Sequence, residues 1–563
     1  MRDQLTTLVA EGLRCQEAGR LPEAERLFRQ AIEARPDCAE AHFYLGNVEL
    51  ALGNPQESAV CFRRALALRR DCVEFQVHPG RSLLAQEPSG ESDRDALRIR
   101  LDDARVLYSL GIALQQSGDQ RAAVDAYGQT LAHDPNHAGA LAGLGAILLE
   151  IGDTDRALPL LRRSIELAPG SPDVHCNLGK AHFLRGESRA AVEGFSRALA
   201  IDPFHARTLC NLGFQLEVLG DLAGSKECYR VALAHHPESA LARFGLGMAQ
   251  LAEGNFAEGW QNCEARWETH QFKEARPQFS QPQWKGEDLR GARILVYSEQ
   301  GLGDTLQFAR YLPLLAARGA TIILQVQPGL RRLLENSGGA AQLLVAGEET
   351  PAFDWHCPLL SLPLAFGTEV SSIPAPIPYL RAPEEAVALW SQRLDPDRLR
   401  VGLVWSGNPT HARNRDRSMT VEAMARLSRM EKAAFYSLQM GASAATPDAP
   451  SGTSIVNLSD QTHDFADTAA IVANLDLVIT VDTSVAHLAG GMGKPVWILL
   501  HRVADWRWLL DREDSPWYPT ARLFRQTVAG DWSGVMERVE GELRELVAAR
   551  AAGVATGVGR RGL

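Results

Sequence analysis

Glycine recurs at one interval through the first half of the chain. Gly111, Gly145, Gly179, Gly213 and Gly247 stand 34 residues apart, and Gly12 and Gly46 keep the same spacing upstream. Twelve residues after a glycine comes a small residue: Ala24, Ser58, Ala123, Ala157, Ala191 or Ser225. Four further on comes a bulky one: Phe28, Phe62, Tyr127, Leu161, Phe195 or Tyr229. Another small residue follows, as at Ala31, Ala65 and Ala198, and then a proline: Pro36, Pro135, Pro169, Pro203 or Pro237. A fixed period of this length restricts the fold severely. Each period is a supersecondary unit that buries its apolar face only against its neighbours. Small residues let two helices approach, the bulky one fills the groove between them, and proline stops the second helix before the next unit.

The pattern closely resembles the tetratricopeptide repeat. Seven units fit, at 5–38, 39–72, 104–137, 138–171, 172–205, 206–239 and 240–270. Residues 73–103 break the phase; EPSGESDRD within them reads as a surface loop, a degenerate repeat being the alternative. The seventh unit, GNFAEGWQNCEARWE, carries aromatics where the others carry small residues, which suits a terminal unit docking onto another domain. We expect a solenoid over 1–270 whose concave face holds an extended peptide or a partner protein. A rigid spacer or an oligomerisation arm is the bland alternative.

Length and charge narrow the rest. With 563 residues the chain is too long for one ordinary domain. A net charge of −11 argues against a general nucleic-acid binder. Nine scattered cysteines include no CxxC pair, so neither a disulfide framework nor a zinc site is expected. Cys176 and Cys210 share one slot of two repeats and read as small buried thiols. The opening MRDQLTTLVAEGL has no basic-then-apolar signal and no run reaches a membrane span, so a cytoplasmic location is expected.

Residues 271–292 are polar with prolines and glycines, a linker anchored by Trp284. From 293 onward short apolar strands alternate with helices. The strands are expected at 293–298, 321–327, 400–405, 434–440, 477–481 and 495–500, and the helices at 305–318, 329–336, 384–393, 421–430, 465–473 and 485–491. Such alternation means parallel sheets covered on both faces. The proline-rich IPAPIPYLRAP, 373–383, separates two sets. The expected architecture is an α solenoid followed by an α/β fold of two Rossmann-like domains, 293–380 and 381–548. An amphipathic helix over 535–548 closes it, and 549–563 reads as a disordered tail.

Two corners carry chemistry. In YSEQGLGDT, 297–305, a strand runs into a turn bracketed by Gly301 and Gly303, and Asp304 stands where a helix begins. This puts a carboxylate at the C-terminal edge of a parallel strand, where open α/β sheets bind ligands. Asp304 also suits a helix N-cap. In LDLVITVDTSVAHLAGGMGKPVWILL, 475–500, a buried strand delivers Asp482, and Thr483 and Ser484 open a helix holding Val485, Ala486 and His487. A helix start offers unpaired N–H groups and a positive dipole end to a phosphate, the two hydroxyls can add hydrogen bonds, and Asp482 can hold a sugar or ribose hydroxyl. An ordinary βα turn with a capping pair and a core histidine is the alternative. The spellings Asp93–Asp95 and Asp395–Asp397 follow no buried strand and read as accidents, so no metal site is expected.

Residues 293–526 resemble glycosyltransferase family 9, the heptosyltransferase-like GT-B enzymes, through GLGD at 301–304, WSGN at 405–408 and DTSVAHLAGGMGKPVW at 482–497. EQGLGDTLQFARYLP, DFADTAA and DWRWLLDREDSPWYP further resemble a bacterial subgroup that fuses tetratricopeptide repeats to this transferase; some such fusions modify flagellin. The resemblance implies an inverting, metal-independent, single displacement from a nucleotide sugar, with no other cofactor. It makes Asp304 the base that takes the acceptor proton, with Glu299 a second candidate. It implies cationic help for the leaving group from HARNRDRSM, 411–419, where Arg415 and Arg417 are preferred over Arg413. Trp405, Ser406 and Asn408 would border the donor, Gln439 would face a base, and Asp467 and Thr468 would open onto the same cleft. Trp506 and Trp508 read as packing residues. The favoured expectation is a transferase acting on a hydroxyl of a protein, flagellin being the leading candidate, recruited by the repeats. The rivals are a lipopolysaccharide- or exopolysaccharide-directed enzyme and a non-catalytic scaffold. ADP-heptose and a CMP-linked nonulosonate are the donors under consideration.

Overall fold

The computed structural model of the chain describes residues 2–70, 103–337, 339–409, 414–440 and 454–552. Of the expected interruption at 73–103, only Asp103 lies within them; Asp93–Asp95, Arg413 and all but the first four residues of the expected tail lie outside. Contacts divide the chain into two compact units, Met1–Gln215 and Leu216–Leu563. The boundary expected at 270 therefore falls inside the second unit.

The first unit is built of antiparallel helix pairs, beginning with Arg2–Glu17 and Leu21–Ala34, then Ala39–Ala51 and Pro55–Arg70. The same arrangement continues from Asp103–Gln116 and Gln120–His133 to Pro172–Leu184 and Ser188–Ile201. The periodic glycine and its bulky partner are one contact. A β-carbon on Gly12 would lie 2.6 Å from Phe28, one on Gly46 2.8 Å from Phe62, and one on Gly179 2.6 Å from Phe195. Each ring fills the space that the glycine leaves, and Phe28 and Phe62 are fully buried.

The second unit opens with more of the same: Leu222–His235, then the pair Ala240–Ala252 and Phe256–Cys263. Two parallel sheets follow. The first holds β1 (Arg293–Tyr297), β2 (Thr321–Val326), β3 (Gln342–Val345) and β4 (Trp355–Pro358) in the order β3-β2-β1-β4. The second holds β5 (Leu399–Val404), β6 (Ala433–Ser437), β7 (Ile455–Asn457), β8 (Leu477–Val481), β9 (Val496–Leu500) and β10 (Ala521–Arg525). Its order, β10-β9-β8-β5-β6-β7, is that of doubly wound α/β sheets, and it reverses between β5 and β8. RILVY, LVITV and VWILL are almost wholly buried, as strands covered on both faces must be.

One hydrophobic core joins the last helix pair to both sheets, running through Trp260, Leu306, Leu324, Ile471 and Leu500. The aromatics of the seventh repeat make the join. Trp260 packs edge-on against Trp506 at 5.1 Å and Phe308 at 6.4 Å, and its indole N–H donates to the Thr368 carbonyl (3.1 Å). Phe256 stacks on Trp517 at 6.0 Å. Trp284 is buried, and its backbone N–H donates to His356 O (2.8 Å), tying residues 271–292 to β4.

Local boundaries differ from the expectation in places. The single helix expected over 305–318 is three short pieces, Leu302–Phe308, Ala309–Tyr311 and Leu312–Ala317, with Pro313 at the start of the third, where its missing N–H is tolerated. β3, β4, β7 and β10 were not expected. The closing helix is longer than expected, Trp532–Ala551, and packs through Val535, Val539 and Leu543 into the core of the second sheet.

Candidate functional site

The corner after β1 is held rigidly. Gly301 is the N-cap of helix Leu302–Phe308 and Asp304 occupies its third position, where its Oδ2 accepts the Gly301 N–H (2.8 Å). Asp304 thus caps the helix as aspartate does well, from inside its first turn. Gln327, just beyond β2, accepts from the Thr305 hydroxyl (2.9 Å) and donates to Gln300 O (2.9 Å), which fixes the glycine loop from behind.

The second corner lies at the carboxyl ends of β5 and β8, where the strand order reverses and a crevice is expected. Asp482 ends β8, and Thr483 is the N-cap of helix Ser484–Gly491. Its hydroxyl does not cap that helix: it pairs with the buried Thr480 hydroxyl at 2.9 Å, so the N-cap side chain leaves the first N–H groups to other partners. After β5, Gln439 clamps the chain, accepting from Trp405 N (3.3 Å) and Ser406 N (3.1 Å) and donating to Ser406 O (2.9 Å). The Arg417 guanidinium lies on Gly407, where a β-carbon would come within 2.7 Å of it. Arg417 Nε is buried without a hydrogen-bond partner among the described residues.

These corners meet. A β-carbon on Gly303 would lie 2.8 Å from His487 Cδ2 and 3.5 Å from Ser484 Cα. Above the contact opens a cleft of about 1010 Å³. It is lined by Gly301, Gly303 and Asp304 from the first sheet and by Ser406, Asn408, Arg417, Gln439, Thr468, Asp482, Thr483, Ser484, Val485 and His487 from the second. The last helix pair adds an apolar wall of Phe244, Met248, Leu251 and Trp260, with Phe272 beside it.

Several candidates stand elsewhere. Trp405 and Ala486 are buried in the core behind the cleft, because a strand end and a helix flank facing the sheet must be apolar. Arg415 is exposed and does not line the cleft. Asp467 accepts His463 N (3.1 Å) and pairs with Arg332 across the sheets. Glu299 is fully engaged: it takes a two-pronged bond from Arg266 (2.8 and 3.0 Å) and the Leu360 N–H (3.1 Å), so the alternative base is a buried structural anchor off the cleft. Asp395 is a capped turn, accepting the N–H groups of Asp397 and Arg398. No cluster of His, Cys, Asp or Glu among the described residues could hold a metal ion.

Two further residues complete the site. Asp505 and Arg507 sit in DWRW, beside the tryptophans read above as packing residues. Arg507 bonds Asp304 directly through Nη2, donates from Nε to Gln307 Oε1 (2.6 Å), and pairs with Asp505 through Nη1 (2.8 Å). Trp506 lines the cleft and lies under the Arg507 guanidinium at 4.4 Å, whereas Trp508 is buried and stacks on His487.

The electrostatics follow from burial. Desolvation raises the Asp304 carboxyl above its ordinary range, and Arg507 opposes it without cancelling it. Burial and the negative charge of Asp505 raise Asp482. Asp505 is also desolvated, but Arg507 outweighs the burial and holds it below the ordinary value. Burial, then the charge of Arg507, depresses His487 to about 3, so its imidazole is neutral. Its Nδ1 lies 2.8 Å from the Tyr518 hydroxyl. Among the described residues the cleft thus presents three arginines, Arg266, Arg417 and Arg507, three carboxylates, Asp304, Asp482 and Asp505, and a neutral imidazole.

Family models match within the first half of the chain. A tetratricopeptide repeat model matches residues 9–71, 108–172 and 216–259, and a second matches 148–209. Protein FlbA of Caulobacter vibrioides is 27% identical over 334 residues, covering 55% of this chain and 56% of that protein. The chain thus spans little more than half the length of that curated relative. Among solved structures, MamA is 26% identical over 30% of this chain and 97% of its own, with a TM-score of 0.25. A tetratricopeptide repeat protein from Parabacteroides merdae is 14% identical over 48% and 97%, with a TM-score of 0.37. The chain carries tetratricopeptide repeats, followed by an α/β region of parallel sheets.

Proposed function

We propose that the chain is an inverting, metal-independent glycosyltransferase of GT-B type, moving a sugar from a nucleotide donor to a hydroxyl of a polypeptide. The observation that carries this reading is the meeting of Asp304 with the uncapped helix start at Thr483 across one cleft. A leaving diphosphate gains charge as its bond breaks. The first N–H groups of helix Ser484–Gly491 and the guanidinium of Arg417 answer that charge from fixed positions. Asp304 stands on the opposite wall, and its raised proton affinity suits a base that must take a hydroxyl proton. In this reading Asp482, which lines the same cleft, accepts from a sugar hydroxyl. The neutral His487 can donate one hydrogen bond without adding charge.

The acceptor side supports a polypeptide. Phe244, Met248 and Leu251 lie on one face of helix Ala240–Ala252, the first helix of the last repeat, and open into the same cleft as Asp304. The repeats bring the acceptor and the cleft's apolar wall receives the side chains flanking its hydroxyl; flagellin is the leading candidate. The test combines thermal unfolding of the full chain against ADP-, GDP-, UDP- and CMP-linked sugars with mass spectrometry of co-expressed flagellin. A stabilising nucleotide sugar and a modified flagellin support the reading. An unmodified flagellin beside an altered surface glycan moves the acceptor from protein to glycan, and no stabilisation by any donor defeats the transferase reading.

A further inference from the structure

Arg507 reaches from the loop after β9 into the corner after β1. Of its donor groups, Nη2 bonds Asp304, Nε bonds Gln307 Oε1 (2.6 Å), and Nη1 bonds Asp505 Oδ1 (2.8 Å). Its flat face lies 4.4 Å from the Trp506 ring centre, and Trp506 packs at 5.1 Å against Trp260 of the last helix pair. One buried guanidinium is therefore held by the first sheet, by its own loop and, through Trp506, by the last repeat. We propose that Arg507 is the positioning residue for Asp304, fixing the direction and the charge of that carboxylate when the two sheets and the last repeat are packed together. This inference rests on the reading of Asp304 as the base.

The geometry separates this role from a simple strut. A strut needs one strong contact, whereas Arg507 spreads a rigid fork over Asp304 and Gln307, three residues apart on one short helix, so it sets an angle as well as a distance. Lysine would keep the charge and lose the fork. Among the described residues the other charged or titratable groups facing this cluster include Asp505 on its own loop, Asp482 after β8, His487, Tyr518, Arg417, Arg310 and Cys263. Removing Arg507 leaves Asp304 with the Gly301 N–H and two carboxylates nearby, which raises its proton affinity further.

The experiment compares the full chain with Arg507→Lys and Arg507→Met. Turnover of the nucleotide sugar found in the donor panel is followed from about pH 5 to pH 9, and the Asp304 carboxyl is titrated by carbon NMR, assigned by difference from Asp304→Asn. Arg507→Met is expected to move the acid limb of kcat/KM and the carboxyl titration upward together by about one pH unit, and to lower turnover at neutral pH roughly 100-fold. Arg507→Lys is expected to lose rate with the acid limb in place. If the methionine variant fails to fold, Arg507→Gln carries the same expectation. A loss of rate at every pH with neither limb nor titration moved overturns the proposal. A wild-type chain that turns over no donor defeats the base reading; an Asp304 titration unmoved by Arg507→Met defeats the inference alone.

Discussion

Gly303 and His487 touch: a β-carbon at position 303 would lie 2.8 Å from the imidazole Cδ2. The glycine loop after β1 and the helix after β8 approach each other as closely as backbone and ring allow, and the cleft opens from that contact. Gly303→Ala must push the two corners apart or displace a ring held by Tyr518 and Trp508. We expect it to cost about 1–3 kcal/mol, measured by denaturant unfolding, with a matching loss of affinity for any nucleotide sugar that stabilises the wild type. A variant as stable and as tightly binding as the wild type would show that the contact is slack.

His487 gives a pH signature. Its imidazole is depressed to about 3 in the folded chain against 6.5 unfolded. Between these values the unfolded state binds the extra proton, so stability is full above pH 6.5 and is lost as pH falls toward 3. The loss at pH 5 comes to roughly 2 kcal/mol. Asp482 and Asp304, both raised, act in the opposite sense and gain stability as pH falls. Comparing the pH 7 to pH 5 change in unfolding free energy for wild type and His487→Asn isolates the histidine. The variant is expected to lose less on acidification; an identical loss would mean that His487 titrates normally.

The Arg266–Glu299 pair anchors the last repeat to the first sheet. Both side chains are 2% exposed, and Glu264 and Ser361 complete the network. Burial and the neighbouring Glu264 raise Glu299, while Arg266 draws it back. Arg266→Met strands a buried carboxylate and is expected to cost about 3–5 kcal/mol, with much of it recovered in Arg266→Met/Glu299→Gln. Chemical denaturation of both variants checks this. Equal losses in single and double variants would contradict the pairing.

The sequence showed the interior of the fold more clearly than its margins. The six strands expected, β1, β2, β5, β6, β8 and β9, are the interior strands of the two sheets, and the four missed, β3, β4, β7 and β10, are their edges. Interior strands are covered on both faces and read as apolar runs. IVN has three residues with two exposed, WHCP ends in proline, and ARLFR carries two arginines, as edges do. The two corners of the cleft were legible because glycine turns and helix starts have local signatures. Arg507 was not, because its partners Asp304 and Gln307 lie 203 and 200 residues away and nothing local marks a long-range ion pair. Trp405 and Ala486 were misplaced by one step of strand or helix phase, which decides between cleft and core.

Sugar transfer in this cleft requires Asp304 to face a bound donor. The direct measurement is calorimetric binding and turnover of the best nucleotide sugar from the panel by the wild-type chain and by Asp304→Asn, at equal protein concentration. The predicted result is affinity unchanged within about threefold and turnover reduced by at least about 1000-fold, because the amide keeps the shape and loses the base. An asparagine variant that turns the donor over at the wild-type rate would contradict it.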